Sequence, residues 1–164
     1  MIIRTRGDQD SLGEITELLH RSYASLSEMG IDYKAAVQPA AETAKRISRG
    51  ECLVAEHDGA LVGTLTWRRP GRFDSKCLYY RRPGVATFEQ FAVEPGLQHS
   101  GIGSALLLAT EVRAHAGGAH ELACDTAASA KDLVKWYANR GYVEVDRTRW
   151  PGKRYESVVL SKTL

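Results

Sequence analysis

Residues 91–107 read FAVEPGLQHSGIGSALL. A β-favouring run closes at Val93 and is ended by Glu94-Pro95-Gly96, because proline cannot donate to a ladder and glycine turns readily. An apolar helical pattern then runs over about residues 101–116, where Gly117-Gly118 supplies the stop. Between strand and helix stand Gly101 and Gly103, with Gln98 upstream. Glycine weakens a helix start, so its use there argues that something approaches the backbone closely. A helix N-terminus offers unpaired N–H groups and the positive end of a dipole. The glycines therefore trade helix propensity for an anion seat that a pyrophosphate can reach.

Two nucleotide-binding patterns fail at this loop. The dinucleotide fingerprint requires a third glycine where Leu106 stands. A P-loop requires Gly-Lys-Ser/Thr, whereas Gly103 is followed directly by Ser104. A lone G-x-G can also be a plain strand-to-helix turn, so its context has to decide.

Working outward, residues 2–6 read as a short strand. Asp10 or Ser11 can cap a helix to about Tyr23, with Leu12, Ile15, Leu18 and Leu19 on one stripe. Pro39 fits the first turn of a second helix ending near Ser48. ECLVAEH (51–57) and ALVGTLTWR (60–68) form a hairpin around Asp58-Gly59. VATFEQFAV (85–93) and ELACDT (121–126) are strands, and a helix covers about residues 130–139. YVEVDRTRW and YESVVLSKT are two final strands joined through Pro151-Gly152. The strand-helix-strand step in the second half favours a local parallel pair, and the hairpins demand antiparallel ones. A single mixed α/β domain over residues 1–164 is expected, with helices on the faces of its sheet.

Composition excludes several classes. Hydrophobic residues make up 43% and charged residues 26%, as in an ordinary globular domain. The net charge of +2 gives no footprint for nucleic acid, which is disfavoured as a partner. No apolar run is long enough to span a bilayer, and the opening MIIRTRGDQD has no signal-peptide core. No membrane association is therefore expected, and the expected location is cytoplasmic. Cys52, Cys77 and Cys124 are far apart and odd in number, which argues for reduced thiols rather than disulfides or a zinc ribbon. His20, His57, His115 and His120 fall in separate settings with no HExxH pattern, so no metal is expected.

The segment FAVEPGLQHSGIGSALL resembles motif A of the GNAT-type N-acetyltransferase superfamily, whose signature is Gln/Arg-x-x-Gly-x-Gly/Ala; Gln98, Gly101 and Gly103 match it. WYANRGYVEV at 136–145 is similar to the family's helix ending in aromatic-Tyr-x-x-x-Gly-Phe/Tyr. The order of elements fits over essentially the whole chain. The resemblance implies a mixed, mostly antiparallel sheet of about seven strands with about four helices, splayed between the strands at 85–93 and 121–126. It also implies acetyl-CoA as co-substrate. Its diphosphate would lie on the loop backbones of Gln98, His99, Ser100, Gly101, Ile102, Gly103 and Ser104. Its pantetheine arm would run along Phe91, Ala92 and Val93, pairing with the backbone of Phe91 and Val93. A backbone N–H near Val93 would polarise the acetyl carbonyl. His99 and Ser100 stand where many relatives place Arg or Lys, and Ser129 stands near the position of a cofactor-holding Asn.

Acetyl transfer to an amine requires amine deprotonation, a stabilised oxyanion and help for the departing thiolate. Tyr137 matches the family tyrosine aimed at the thioester sulfur and is the expected acid; from its helix alone it would read as a core aromatic. Glu89, a carboxylate inside a β-forming strand, is the expected base, with Asp125 as the alternative. Period two puts Glu89 on the face of Phe91 and Val93, with Gln90 opposite, unless a bulge changes the register. The stretch 68–82 carries Arg68, Arg69, Arg72, Lys76, Arg81 and Arg82 against Asp74 alone, which suits either an acidic group on the acceptor or a solvated loop. Tyr23, Tyr33, Tyr79, Tyr80 and Trp150 are candidates to line the acceptor pocket.

The expected activity is acetyl transfer from acetyl-CoA to a primary amine of a small molecule or peptide, by direct attack in a ternary complex. The rivals are an inactive CoA-binding sensor or interaction module, and an RNA- or peptide-binding protein that uses the basic loop. The final hairpin has edges that leave a homodimer open.

Overall fold

The computed structural model describes residues 1–28, 30–71 and 75–164. Its elements run β1 (Ile2–Thr5), α1 (Leu12–Glu28), α2 (Ala40–Ile47), β2 (Glu51–His57), β3 (Ala60–Arg68), β4 (Val85–Val93), α3 (Ile102–Ala116), β5 (Glu121–Ala127), α4 (Lys131–Ala138), β6 (Val143–Thr148) and β7 (Ser157–Thr163). The seven strands take the order β1-β2-β3-β4-β5-β7-β6. Pairs β1–β2, β2–β3, β5–β7 and β6–β7 are antiparallel, and β4–β5 is parallel. The expected mixed, mostly antiparallel sheet with four helices is therefore present. No helix among the described residues is long and apolar enough to cross a membrane.

The chain divides into two units, Met1–Arg68 with Glu89–Arg113, and Arg69–Phe88 with Ala114–Leu164. In the first unit β2 is buried on both faces, and its alternation sorts the core. Cys52 and Val54 join Ile15, Leu18 and Leu19 of α1 and Ile47 of α2. Leu53 and Ala55 join Ile102 and Leu106 of α3. Gly63 of β3 lets α3 come close: a Cβ there would meet Leu106 Cδ1 at 2.8 Å and Ile102 Cγ2 at 3.3 Å. Helix α1 reaches Glu28, past the expected end at Tyr23. Ser11 caps it, its Oγ accepting from Glu14 N–H at 3.3 Å. Asp10, the other cap candidate, instead accepts from Gly7 N–H and from the Arg4 guanidinium. Pro39 sits at the N-cap of α2, one position before the expected first turn.

In the second unit the first part of β4 pairs with β5 from Val85↔Glu121 to Thr87↔Ala123. Val85, Ala123 and Val159 form a core with Cys77 and Tyr80, against which Trp150 packs. Phe88, Tyr137 and Tyr142 form a second aromatic cluster, with ring centroids 5.6–6.1 Å apart. The final strands are shorter than expected, and residues 149–156 lie between them. All three cysteines are buried, and none forms a disulfide.

Candidate active site

The glycine loop lies at the surface. Gln98, His99, Ser100 and Gly101 are exposed, and α3 begins at Ile102. The first N–H groups of α3 lack intrahelical carbonyl partners by construction, so the loop opens onto a row of donors. Gly101 has φ +92°, where a side chain is strained, and nothing among the described residues lies within 4 Å of the place a Cβ would take. His99 also adopts a left-handed φ, +66°, a conformation histidine tolerates better than most residues. The N–H groups of Gln98 and Ser100 donate to Pro95 O and Leu97 O, each at 3.4 Å, so the start of α3 supplies the donors that suit a diphosphate.

The strand before the loop departs from the expected alternation. Glu89 does not share a face with Phe91 and Val93. It pairs with Arg46 of α2, whose Nε lies 3.0 Å from Oε2, and with Arg68 of β3. Ala92 packs in the cluster of α1 and α2, whereas Phe91 and Val93 pack in the cluster of α3. Glu89 and Ala92 thus face the same way although three positions separate them. The cause is Gln90, whose φ of +53° inserts a left-handed residue in mid-strand and shifts the side-chain phase. Arg68 is correspondingly no part of a solvated loop: it is 5% exposed and ends β3. Arg72 and Asp74 of the basic stretch lie outside the described residues.

Helix α1 reaches the same part of β4. Tyr23 Oη donates to the Phe91 carbonyl at 3.1 Å. Ser22 Oγ donates to the Val93 carbonyl at 3.1 Å and lies 3.3 Å from the Val93 N–H. The Glu94 N–H points the other way, to Val62 O of β3 at 2.9 Å. The backbone groups of Phe91 and Val93 therefore meet hydroxyls that small polar ligand groups can replace. Arg21 fastens α1 to the end of this segment through both oxygens of Glu94, at 2.8–3.2 Å. Arg46 also donates to Gln38 Oε1 at 3.0 Å, and Gln38 Nε2 donates to Thr43 at 2.7 Å. Ser22 and Arg46 had no signal in local sequence, because each matters only through a strand far along the chain.

The second unit holds the other expected residues. Tyr137, on α4, is 5% exposed, and its side chain hydrogen-bonds Cys124 of β5. Burial pushes the Cys124 thiol well up, so it stays protonated at neutral pH. Ser129 is exposed in the turn before α4. Asp125 accepts from Tyr80 Oη at 3.0 Å and from Trp150 Nε1 at 2.7 Å. Burial, then the Asp125 charge, pushes the Tyr80 hydroxyl well up, which keeps it a donor. Tyr79 donates instead to Glu121, which also accepts from Ser161 at 2.8 Å. Tyr79, Glu121 and Ser161 line a cavity of about 480 Å³ together with Arg82 and Lys162. Tyr23 packs against Tyr33 in the first unit, with ring centroids 5.3 Å apart.

Comparison with known proteins defines the class. The acetyltransferase (GNAT) family matches residues 14–142, and the chain belongs to that family. It is thus an acetyltransferase, and the match runs through residues of both units. It is 28% identical over 156 residues to the S-(2-succino)cysteine N-acetyltransferase of Bacillus subtilis (strain 168), covering 92% of this chain and 89% of that one. Its fold is similar to that of a GNAT family acetyltransferase from Elizabethkingia anophelis with acetyl-CoA bound, at a TM-score of 0.70, with 15% identity and 99% and 97% of the two chains covered. The ribosomal-protein-S18-alanine N-acetyltransferase of Escherichia coli gives a TM-score of 0.73, with 17% identity and 99% and 92% covered.

Proposed function

We propose that this acetyltransferase, one domain built from both units, transfers the acetyl group of acetyl-CoA to the primary amine of an acceptor in a ternary complex, and that the acceptor is an amino acid or a derivative of one. The exposed loop at 98–101, opening onto the N-terminus of α3 in a chain of this family, is the observation that carries the reading. The relative from Bacillus subtilis is named for a modified cysteine, which favours an amino-acid acceptor.

The chain's own groups then have defined tasks. The amides of residues 98–104 and Ser129 hold the co-substrate. The Phe91 and Val93 backbone groups exchange the hydroxyls of Tyr23 and Ser22 for polar groups of its arm. The Val93 N–H donates to the oxyanion that forms as the amine attacks the carbonyl carbon. Glu89 is engaged by two guanidinium groups, so it takes the amine proton through a water rather than directly. The C–S bond breaks, and the sulfur receives a proton from Tyr137.

Thiol release from acetyl-CoA over a broad amine panel tests this. With Tyr137→Phe, turnover falls at least about tenfold while acetyl-CoA affinity is retained, as for a residue acting in the transition state. Unchanged turnover removes Tyr137 from the mechanism. The engagement of Glu89 favours one rival, a binding module without chemistry; that reading requires acetyl-CoA binding with no thiol release for any amine.

A further inference from the structure

Three consecutive residues of α1 grip the last part of β4. Arg21 holds the Glu94 carboxylate. Ser22 Oγ donates to the Val93 carbonyl at 3.1 Å and lies 3.3 Å from the Val93 N–H. Tyr23 Oη donates to the Phe91 carbonyl at 3.1 Å. Strand β4 is in register with β5 from Val85 to Thr87, and Phe91 and Val93 lie past that stretch. A hydroxyl that meets both the N–H and the C=O of one residue does what a neighbouring strand does at a hydrogen-bonded position. Side chains of a helix thus stand where a ladder would otherwise run. Ser22, Tyr23, Phe91 and Val93 are all half-buried rather than sealed.

The helix is anchored unevenly. Its buried residues, Ile15, Thr16, Leu18 and Leu19, all lie in its first half. From His20 to Glu28 none is buried, and Tyr23 is only partly covered by the core. A segment with so few buried contacts opens at low cost, and a few side-chain hydrogen bonds decide where it rests. In the reading above, on which this step rests, the co-substrate's arm and acetyl carbonyl take the Phe91 and Val93 backbone groups. The Val93 N–H has one hydrogen to give, so Ser22 and the co-substrate compete for it. We infer that the second half of α1 is a latch: its Ser22 and Tyr23 hydroxyls close the arm site until the arm enters and displaces them. Arg21 grips a side chain rather than the backbone, so the helix stays tethered as the hydroxyls let go. The latch weakens co-substrate binding by the free energy of its own contacts and makes α1 respond to the filling of the site.

Two probes separate the arm from the rest of the co-substrate: coenzyme A, and 3′-phospho-ADP, which has the diphosphate and lacks the arm. Calorimetry with the full chain compares wild type with the double variant Ser22→Ala and Tyr23→Phe. The variant binds coenzyme A roughly fivefold to a hundredfold more tightly, the worth of two neutral hydrogen bonds. It binds 3′-phospho-ADP as wild type does. Unchanged or weaker binding of coenzyme A overturns the latch and makes the two hydroxyls structural or co-substrate-binding. Hydrogen exchange on wild type reads the latch with no substitution at all. Coenzyme A speeds exchange of the α1 amides at 22–28 at least about fivefold, whereas 3′-phospho-ADP leaves it as it was. Unchanged or slower exchange there, with coenzyme A bound, overturns the latch and leaves the acetyl-CoA reading standing. Failure of wild type to bind coenzyme A defeats that reading, and the latch with it.

Discussion

Glu89 on β4 and Asp125 on β5 are both carboxylates on strands, and both were candidates for the same proton-transfer role, yet they keep different company. Glu89 is met by the cationic side chains of Arg46 and Arg68. Asp125 is met by two neutral donors, the Tyr80 hydroxyl and the Trp150 indole. Charge compensates Glu89, whereas hydrogen bonding alone orients Asp125. The first arrangement ties α2, β3 and β4 together through an ion-pair hub. The second fixes a carboxylate between two aromatic side chains. A strand carboxylate in this fold is therefore assigned by its partners, since residue type and strand position leave the two alike.

Removing Glu89 breaks the comparison most severely. Glu89→Leu leaves Arg68, 5% exposed, and Arg46 without the anion between them. Loss of one partner of a buried pair costs about 3–5 kcal/mol, which urea unfolding reads directly. A loss below about 1 kcal/mol, the worth of a surface pair, would place Glu89 in the same class as an exposed ion pair. Asp125→Leu comes next, because it strands the buried Tyr80 hydroxyl and the Trp150 N–H; about 1–3 kcal/mol is expected. Asp125→Asn keeps an acceptor oxygen and gives up the charge, so its cost falls below that of the leucine variant. Equal costs for the two variants would show that charge, not hydrogen bonding, holds Asp125.

The smallest effects sharpen the same contrast through pH. The Arg4 guanidinium, above all by hydrogen bonding, holds the Asp10 carboxyl below its usual range. In the other unit the Tyr79 hydroxyl, then Ser161, lowers Glu121. A carboxyl whose folded pKa is depressed adds stability above its unfolded pKa, about 4 for these groups. That stability is lost as pH falls from there through the depressed folded value. Asp10→Asn and Glu121→Gln should each flatten the acid limb of stability below about pH 4 and leave its shape above pH 6 unchanged. Unfolding free energies at several pH values check this, and an unchanged acid limb in either variant rejects the corresponding pair.

Much of the fold could be read locally. The stop at Glu94-Pro95-Gly96, the glycines at 101 and 103, and the stop at 117–118 bracket β4, the loop and α3 as the structure has them. The hairpin of β2 and β3 around Asp58-Gly59 was equally clear. The candidate site was legible only where its chemistry lies in consecutive residues, as in the exposed loop. On β4 period two placed Glu89 with Phe91 and Val93 unless a bulge intervened, and the structure has the shifted phase. A bulge needs only one residue in a left-handed φ, and glutamine carries no signal for it. Arg68 was placed at the end of β3, where the structure has it, but its ion pair with Glu89 was not legible, since the partner lies on another strand.

The sequence by itself determined the periods, breaks and turns, because these depend on each residue's own backbone preferences and on neighbours a few positions away. It also carried the family, through Gln98, Gly101 and Gly103 and through Trp136, Tyr137 and Gly141. Only the tertiary structure decided that Glu89 turns toward α2, that Ser22 and Tyr23 reach the β4 backbone, and that Gln90 keeps a buried amide without a hydrogen-bond partner among the described residues. Each of these joins residues far apart in the chain, and a contact of that kind takes its free energy from packing that no local window contains.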